Sequence, residues 1–225
     1  MATNIKLKEE DVRQQFAEIS KELDRWGAYV DKVLNEYLEN CFFGHEHIQN
    51  HACHRVKDID SYCEKVLLRY HFNNPLLETT DKVGTRVVLL DRNDVRLVSD
   101  FVRNSDAWVM QEQTRDTDDV ILQQPDVFTY QSDHFIVKPK PEFKTIADRD
   151  LLTCEIQIRT ILQHAYAEIS HDTVYKKNSV TNNKAKRILA SSMAMLETAD
   201  EKSSERVSSP CPERAYIVGR SSLVT

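Results

Sequence analysis

Residues 9–40 carry apolar side chains at alternating spacings of four and three. Residues three and four apart share one face of a helix, so this spacing predicts a single long amphipathic helix. We expect its apolar face to pack on the core of the domain. The alternative is that it pairs with a second copy of the chain in a homo-oligomer. The apolar positions are Val12, Phe16, Ile19, Leu23, Trp26, Val30, Val33 and Tyr37.

After this helix, the pattern of apolar positions changes several times between the helical period and the strand period. Residues 41–54, rich in His and Cys, are predicted to be a polar connector, because their spacing does not follow the usual zinc-binding patterns. Strands mixed with helices in this way indicate an α/β or α+β sheet surrounded by helices. Strands are predicted at 85–90, 108–114, 134–139 and 151–159, helices from Asp58 or Asp60 onward and at 91–105, 160–176 and 182–200, and a loop at 115–130.

Composition narrows the class of protein. The chain has 225 residues, of which 40% are apolar and 29% are charged, an ordinary balance for a globular protein. It has no apolar run long enough for a membrane helix. Five cysteines without a CxxC pair favour a reduced, cytoplasmic protein. The net charge of −6 argues against binding nucleic acid over the whole surface.

The glycine content and the ends of the chain add two further expectations. Four glycines are too few for Walker or Rossmann phosphate loops. We expect an N-terminal helical segment at 1–50 and a main domain at 51–203. The serine-rich residues 204–225 are predicted to be a flexible tail.

Charged residues occupy positions in the predicted strands that a core would not favour. The strand at 151–159 alternates strictly, with Glu155, Gln157 and Arg159 on its polar face. Asp81 and Arg86 flank the start of the strand at 85–90. Two carboxylates at strand ends can hold Mg²⁺ together with phosphate oxygens, and nearby cations can neutralise a polyphosphate. The pattern therefore indicates phosphate chemistry, although each charged pair alone is more often structural.

Four sequence motifs contain these residues and indicate a protein family. They are "RVKDIDSYCEK" (55–65), "DKVGTR" (81–86), "YQSDH" (130–134) and "EIQIRT" (155–160), the last followed by "HAYAE" and "HDTVYK". In this order they resemble the RelA/SpoT synthetase family, of the small type without a hydrolase region. The resemblance implies a nucleotidyltransferase-like α+β fold, with a mixed sheet flanked by helices and the long N-terminal helix beside it. It also implies transfer of the β,γ-pyrophosphate of ATP to the 3′-hydroxyl of GDP or GTP.

The resemblance assigns roles to twelve residues. Asp81 and Glu155 would be the catalytic residues and the Mg²⁺ ligands, and Glu155 would also assist deprotonation of the attacking hydroxyl. A planar guanidinium can stack on adenine, which is the role implied for Arg55 and Arg86. The remaining residues of the ATP site would be Lys57, Ser61 and Lys65, and those of the acceptor site Tyr130, His134, Gln157, Arg159 and His164.

One segment departs from the family pattern. The family usually shows a P-K-x-N-G-Y run before the Ser-x-His of the third motif, but residues 123–134 ("QQPDVFTYQSDH") have neither the lysine nor the glycine. Some relatives transfer pyrophosphate to the 3′ end of tRNA and act as toxins with a partner antitoxin, and the altered segment is compatible with that acceptor. A non-catalytic nucleotide-binding regulator on the same fold is the third alternative.

Overall fold

The computed structural model describes residues 8–42, 47–69, 72, 74–123, 128, 132–174 and 183–207. A six-stranded mixed sheet forms its centre, and helices surround it. The helices are α1 (Glu9–Cys41), α2 (Ile59–Glu64, continued by a π-helical turn at Lys65–Arg69), α3 (Pro75–Glu78), α4 (Arg92–Asn104), α5 (Thr117–Gln123), α6 (Ile161–Val174) and α7 (Asn183–Val207). The strands are β1 (Ile48–Asn50), β2 (Arg55–Val56), β3 (Val83–Leu89), β4 (Trp108–Arg115), β5 (Asp133–Pro139) and β6 (Cys154–Thr160).

The sheet has the order β1-β3-β6-β5-β4, with the short β2 also paired to β3. β3 and β6 run parallel, and all other pairs are antiparallel. The register sets Gly84 beside Glu155 and Arg86 beside Gln157, while His134 of β5 lies opposite Gln157. The predicted α+β fold with a mixed sheet is therefore confirmed.

One face of the sheet forms the core, and α1 and α4 cover it. Thr85 of β3 donates a hydrogen bond to Asp31 of α1, and Ser99 of α4 donates one to Asp133 of β5. Alternate residues of β3, β6 and β5 point to this side and are almost fully buried, as period-two strands require. We call this side the core face. The apolar face of α1 packs here, so it is used within the chain.

The buried face of α1 turns gradually around the helix. Its first six predicted positions, from Val12 to Val30, are buried, but further on Leu34 and Leu38 are buried in place of Val33 and Tyr37, which are only partly covered. A strict seven-residue repeat fits about 3.5 residues per turn, whereas a straight α-helix has about 3.6. The buried positions therefore shift by one residue over this length.

Aspartate caps begin three of the helices. Asp58 caps α2 and Asp91 caps α4, each accepting hydrogen bonds from two backbone amides, as helix N-termini favour. The loop predicted at 115–130 is wrong in its first part, because α5 forms there. Asp116 accepts hydrogen bonds from the amides of Asp118 and Asp119 at the beginning of that helix.

The opposite side of the sheet stays partly exposed, and we call it the open face. Gly84 and Arg86 of β3 point to it, as do Glu155 and Gln157 of β6. α7 extends to Val207, beyond the predicted end at residue 200 and into the predicted tail; residues 208–225 lie outside the described residues. Within the described ranges, no helix has the length and hydropathy that crossing a membrane requires.

Candidate active site on the open face

Asp81 lies between two lysines just before β3. Its Oδ2 is 2.5 Å from Nζ of Lys57, and its Oδ1 is 2.7 Å from Nζ of Lys65. The pairing of β2 with β3 produces the first contact, since the Lys57 amide donates to the carbonyl of Lys82 at 2.8 Å. Burial acts to raise the pKa of Asp81, but the two ammonium groups outweigh it and the pKa lies below its usual value. Asp81 is therefore an ionised carboxylate at neutral pH, and about a quarter of its side chain is exposed.

Glu155 is the second carboxylate of the open face. Its Oε1 is 3.1 Å from Nδ1 of His134, and its Oε2 accepts a hydrogen bond of 2.8 Å from Nε2 of Gln157. Burial acts to raise the pKa of Glu155, but His134 and Gln157 lower it below its usual value. The three residues come from adjacent strands, so the register of β5 with β6 fixes this group.

Asp81 and Glu155 lie at the same end of the sheet. Gly84 pairs in register with Glu155, and Asp81 lies just before the strand that contains Gly84. The two charges interact, because the negative charge of Asp81 acts to raise the pKa of Glu155. Two ionised oxygen ligands, each partly exposed, suit a divalent cation that takes one or two protein carboxylates and fills its other positions with phosphate oxygens or water. The residues present therefore fit Mg²⁺.

A second charged group lies further along the open face, where α6 follows β6. The carboxylate of Glu168 is 3.5 Å from Arg86, 3.8 Å from Arg159 and 3.6 Å from His164. Burial and the positive charges of Arg159 and Arg86 lower the pKa of His164, although Glu168 opposes this. Arg86 is half exposed, whereas Arg159 is almost completely buried. The structure thus brings three predicted nucleotide-binding residues together around a single acid.

Glu168 was not among the predicted site residues. It lies four residues after His164, and this helical spacing, together with the paired cations on β3 and β6, was the signal in the sequence that pointed to it. Its side chain is well exposed, at 64%, so it can move aside when an anion approaches the two arginines and His164.

Lys82 is a second residue that the sequence did not reveal. Its side chain is completely buried, and Nζ donates to the carbonyls of Leu76 (2.7 Å) and Thr79 and to Oγ1 of Thr153 (3.0 Å). Burial lowers the pKa of Lys82 to about 7. These contacts tie α3 and the entrance of β6 to the entrance of β3, and so hold in place the chain segments that carry Asp81 and Glu155.

The remaining predicted residues lie around these groups. Arg55 is exposed on β2 and pairs in register with Gly84, which places it on the open face near Arg86. Ser61 is exposed on α2, four residues before Lys65, and its amide donates to Asp58. Tyr130 lies outside the described residues.

The third motif also contains a residue that belongs to the core. Asp133 lies on the core face, where it is buried and accepts hydrogen bonds from Ser99 Oγ at 2.7 Å and from the amide of Thr117 at 2.9 Å. It joins β5 to α4 and α5. This acidic side chain therefore does not enter the open face, and His134 beside it does.

Several solved structures share this fold. The small alarmone synthetase 1 of Bacillus subtilis bound to its product pppGpp is 20% identical over 85% of this chain and 94% of its own, with a TM-score of 0.65. The same synthetase bound to AMPCPP is 23% identical, covering 86% and 90%, with a TM-score of 0.54. A GTP pyrophosphokinase family protein from Streptococcus pneumoniae is 22% identical, covering 86% and 88%, with a TM-score of 0.59. These likenesses establish the fold.

Family membership follows from the comparison of sequences. No curated protein matches the chain significantly. The profile of the region found in RelA / SpoT proteins matches residues 54–180, more than half of the chain, and that match contains all twelve predicted site residues. The chain therefore belongs to the RelA/SpoT family.

Proposed function

We propose that this chain is an ATP-dependent 3′-pyrophosphokinase that makes an alarmone by transferring the β,γ-pyrophosphate of ATP to a guanine nucleotide, GDP or GTP. The observation that carries the proposal is the contact of Asp81 with Lys57 and Lys65 on the same open face as Glu155. Family membership supports it, as does the shared fold with synthetases whose structures contain pppGpp or AMPCPP.

The donor end of the site is built around Asp81. Asp81 and Glu155 would hold Mg²⁺, which when bound would neutralise phosphate charge and orient the triphosphate. Lys57 and Lys65 already point their ammonium groups at the oxygens of Asp81, and these groups would bind the phosphates of ATP beside that carboxylate. Ser61 would add a hydroxyl donor. Arg55 and Arg86 would stack on the adenine from β2 and β3.

The acceptor end contains the base. Glu155 is ionised at neutral pH and can take the proton of the 3′-hydroxyl, while His134 and Gln157 fix its two oxygens. The freed oxygen attacks the β-phosphorus in line, the bond from that phosphorus to the oxygen bridging it to the α-phosphorus breaks, and AMP leaves. Arg159 and His164 would bind acceptor phosphates in exchange for Glu168, and Tyr130 would stack on the base.

A tRNA 3′ end is the second candidate acceptor. The observation that favours it is the segment at 123–134, which lacks the lysine and the glycine common in the family. A missing cation weakens the binding of the 5′ phosphates of GDP or GTP, whereas the 3′ end of a tRNA has no such free phosphates. A chain acting on tRNA would be toxic and would need an antitoxin partner.

The test is transfer of label from γ-³²P ATP, with Mg²⁺ and one of three acceptors: GDP, GTP or deacylated tRNA. Label on a guanine nucleotide supports the proposal, and label on tRNA supports the second candidate. Binding of ATP without transfer to any acceptor overturns both and indicates a nucleotide-binding regulator. Asp81→Asn serves as the inactive control, and Asp106→Asn, at a fully exposed surface position, serves as the active control.

A further inference from the structure

The carboxylate of Asp31, on α1, accepts hydrogen bonds from two segments of the sheet region. Its Oδ1 accepts from Oγ1 of Thr85 on β3 at 2.5 Å. Its Oδ2 accepts from the backbone amide of His54 at 2.6 Å and lies 2.5 Å from Nδ1 of the same residue, which directly precedes β2. The side chain of Asp31 is only 14% exposed. These bonds therefore form in a largely dry environment, where they are strong.

His54 and Thr85 are each followed in sequence by an arginine of the proposed adenine site. Arg55 comes directly after His54, and Arg86 directly after Thr85. Successive side chains of a strand point to opposite faces, so a bond on the core face at Thr85 fixes the backbone from which Arg86 projects onto the open face. Because Arg55 of β2 pairs with Gly84 of β3, the two arginines lie near each other on the open face.

We infer that Asp31 is a positioning residue for the donor nucleotide, because it anchors β2 and β3 to α1 immediately before Arg55 and Arg86. This inference rests on the proposed function, since it assigns the two arginines to ATP. Asp31 does not touch the open face; it acts through the backbone of His54 and Thr85.

The ring of His54 makes its other contacts with α1 as well. Nε2 of His54 is 3.1 Å from Oδ1 of Asp24, which lies on α1 before Asp31. Between these aspartates lies Gly27, at which a Cβ atom would overlap the His54 ring. Burial acts to lower the pKa of His54, but hydrogen bonds to Asp31 and Asp24 raise it above its usual value, which favours the charged ring between two carboxylates.

The test measures the equilibrium affinity for AMPCPP with Mg²⁺ by calorimetry, which does not depend on turnover. Thr85→Val keeps the side-chain shape and removes only the hydroxyl that bonds to Asp31. It should weaken AMPCPP binding about tenfold, since small displacements of a binding group carry large penalties. In steady-state transfer it should raise KM for ATP and leave kcat within about twofold. Asp31→Asn, which places a donor amide among donors, should weaken binding further.

Two additional variants separate positioning from general destabilisation. Thr160→Val is the matched control, because Thr160 also donates to a buried helix aspartate, Asp200, at the far end of β6. It should lower the thermal midpoint and leave AMPCPP affinity unchanged. In an Arg86→Gln background, Thr85→Val should lose its effect on affinity, because the residue through which it acts is gone.

The outcomes distinguish this inference from the proposed function. If the wild-type chain does not bind AMPCPP, both fall. If it binds and Thr85→Val and Asp31→Asn bind equally well, the positioning role alone is overturned. An undiminished effect of Thr85→Val in the Arg86→Gln background also overturns it, because the hydroxyl would then act independently of the arginine.

Discussion

The buried carboxylate of Asp200 offers a quantitative test of how α7 is attached to the sheet. Asp200 is 2% exposed, and its Oδ2 accepts a hydrogen bond of 2.7 Å from Oγ1 of Thr160, the last residue of β6. Its Oδ1 has no hydrogen-bond partner among the residues that the structure describes. Burial raises the pKa of Asp200 to about 6, against the opposing effects of Thr160 and Arg92.

The raised pKa converts into a free energy with a definite sign. In the unfolded chain the carboxyl loses its proton near pH 3.8, but in the folded chain it does so only near pH 6. Stability is therefore lost as pH rises from about 4 to about 6. Each pKa unit corresponds to about 1.4 kcal/mol, so the ionised carboxylate should destabilise the fold by about 3 kcal/mol at pH 7.

Asp200→Asn removes this penalty, because asparagine is neutral at every pH and its amide oxygen can still accept from Thr160. The variant should match the wild type at pH 4 and exceed its free energy of unfolding by about 3 kcal/mol at pH 7.5. Urea unfolding followed by circular dichroism at both pH values measures the difference, and Asp106→Asn is the exposed control. A variant that is less stable than the wild type at pH 7.5, or a difference that does not change with pH, would refute the reasoning.

Three further predictions concern the site and α1. Asp81→Asn should lower transfer about 10³-fold, since it removes a carboxylate from the charge balance of the site, while circular dichroism shows the fold retained. Chelation with EDTA should stop transfer and added Mg²⁺ should restore it; transfer that persists in EDTA would contradict the role of Asp81 and Glu155. Gly27→Ala adds a Cβ atom that would overlap the ring of His54. The variant should therefore lower the free energy of unfolding in urea by about 1–3 kcal/mol, although alanine normally stabilises a helix. Ala28→Gly, at an exposed neighbouring position, should cost about 1 kcal/mol through helix propensity alone, and a stabilising Gly27→Ala would show that the ring moves freely.

The elements that the sequence predicted well are those in which periodicity and capping agree. The spacing of apolar residues predicted a helix at 9–40, and α1 ends one residue later, at Cys41. Asp58, which caps α2, was one of the two aspartates expected to do so. The helix α5 was missed because its apolar residues, Val120, Ile121 and Leu122, are consecutive and show no helical spacing. Asp116 and the two acids that follow it were a usable signal, since carboxylates cap and stabilise a helix N-terminus.

The sequence indicated candidate site residues only at positions that the motifs specify. The motifs named Asp81, Glu155 and the cations as candidates, and the structure brings these residues to one face, but their roles remain predictions. The motif D-x-x-G-x-R leaves position 82 unspecified, and lysine is a residue type that is mostly exposed in proteins. Nothing in the local sequence therefore indicates that Lys82 is buried. Asp31 is far from both His54 and Thr85 along the chain, and contacts between such distant residues follow from tertiary packing alone.

Each carboxylate of the open face described above already has partners within the chain. Asp81 pairs with two lysines, Glu155 with His134, and Glu168 with the arginines of β3 and β6. A triphosphate must therefore displace carboxylates from the cations that are to bind it, and it gains little from cations that remain paired. The proposed divalent cation between Asp81 and Glu155 would remove this conflict, since it would offset the carboxylate charge and leave the ammonium groups to the phosphates. If Asp81 and Glu155 hold the metal as proposed, nucleotide binding would therefore depend on it.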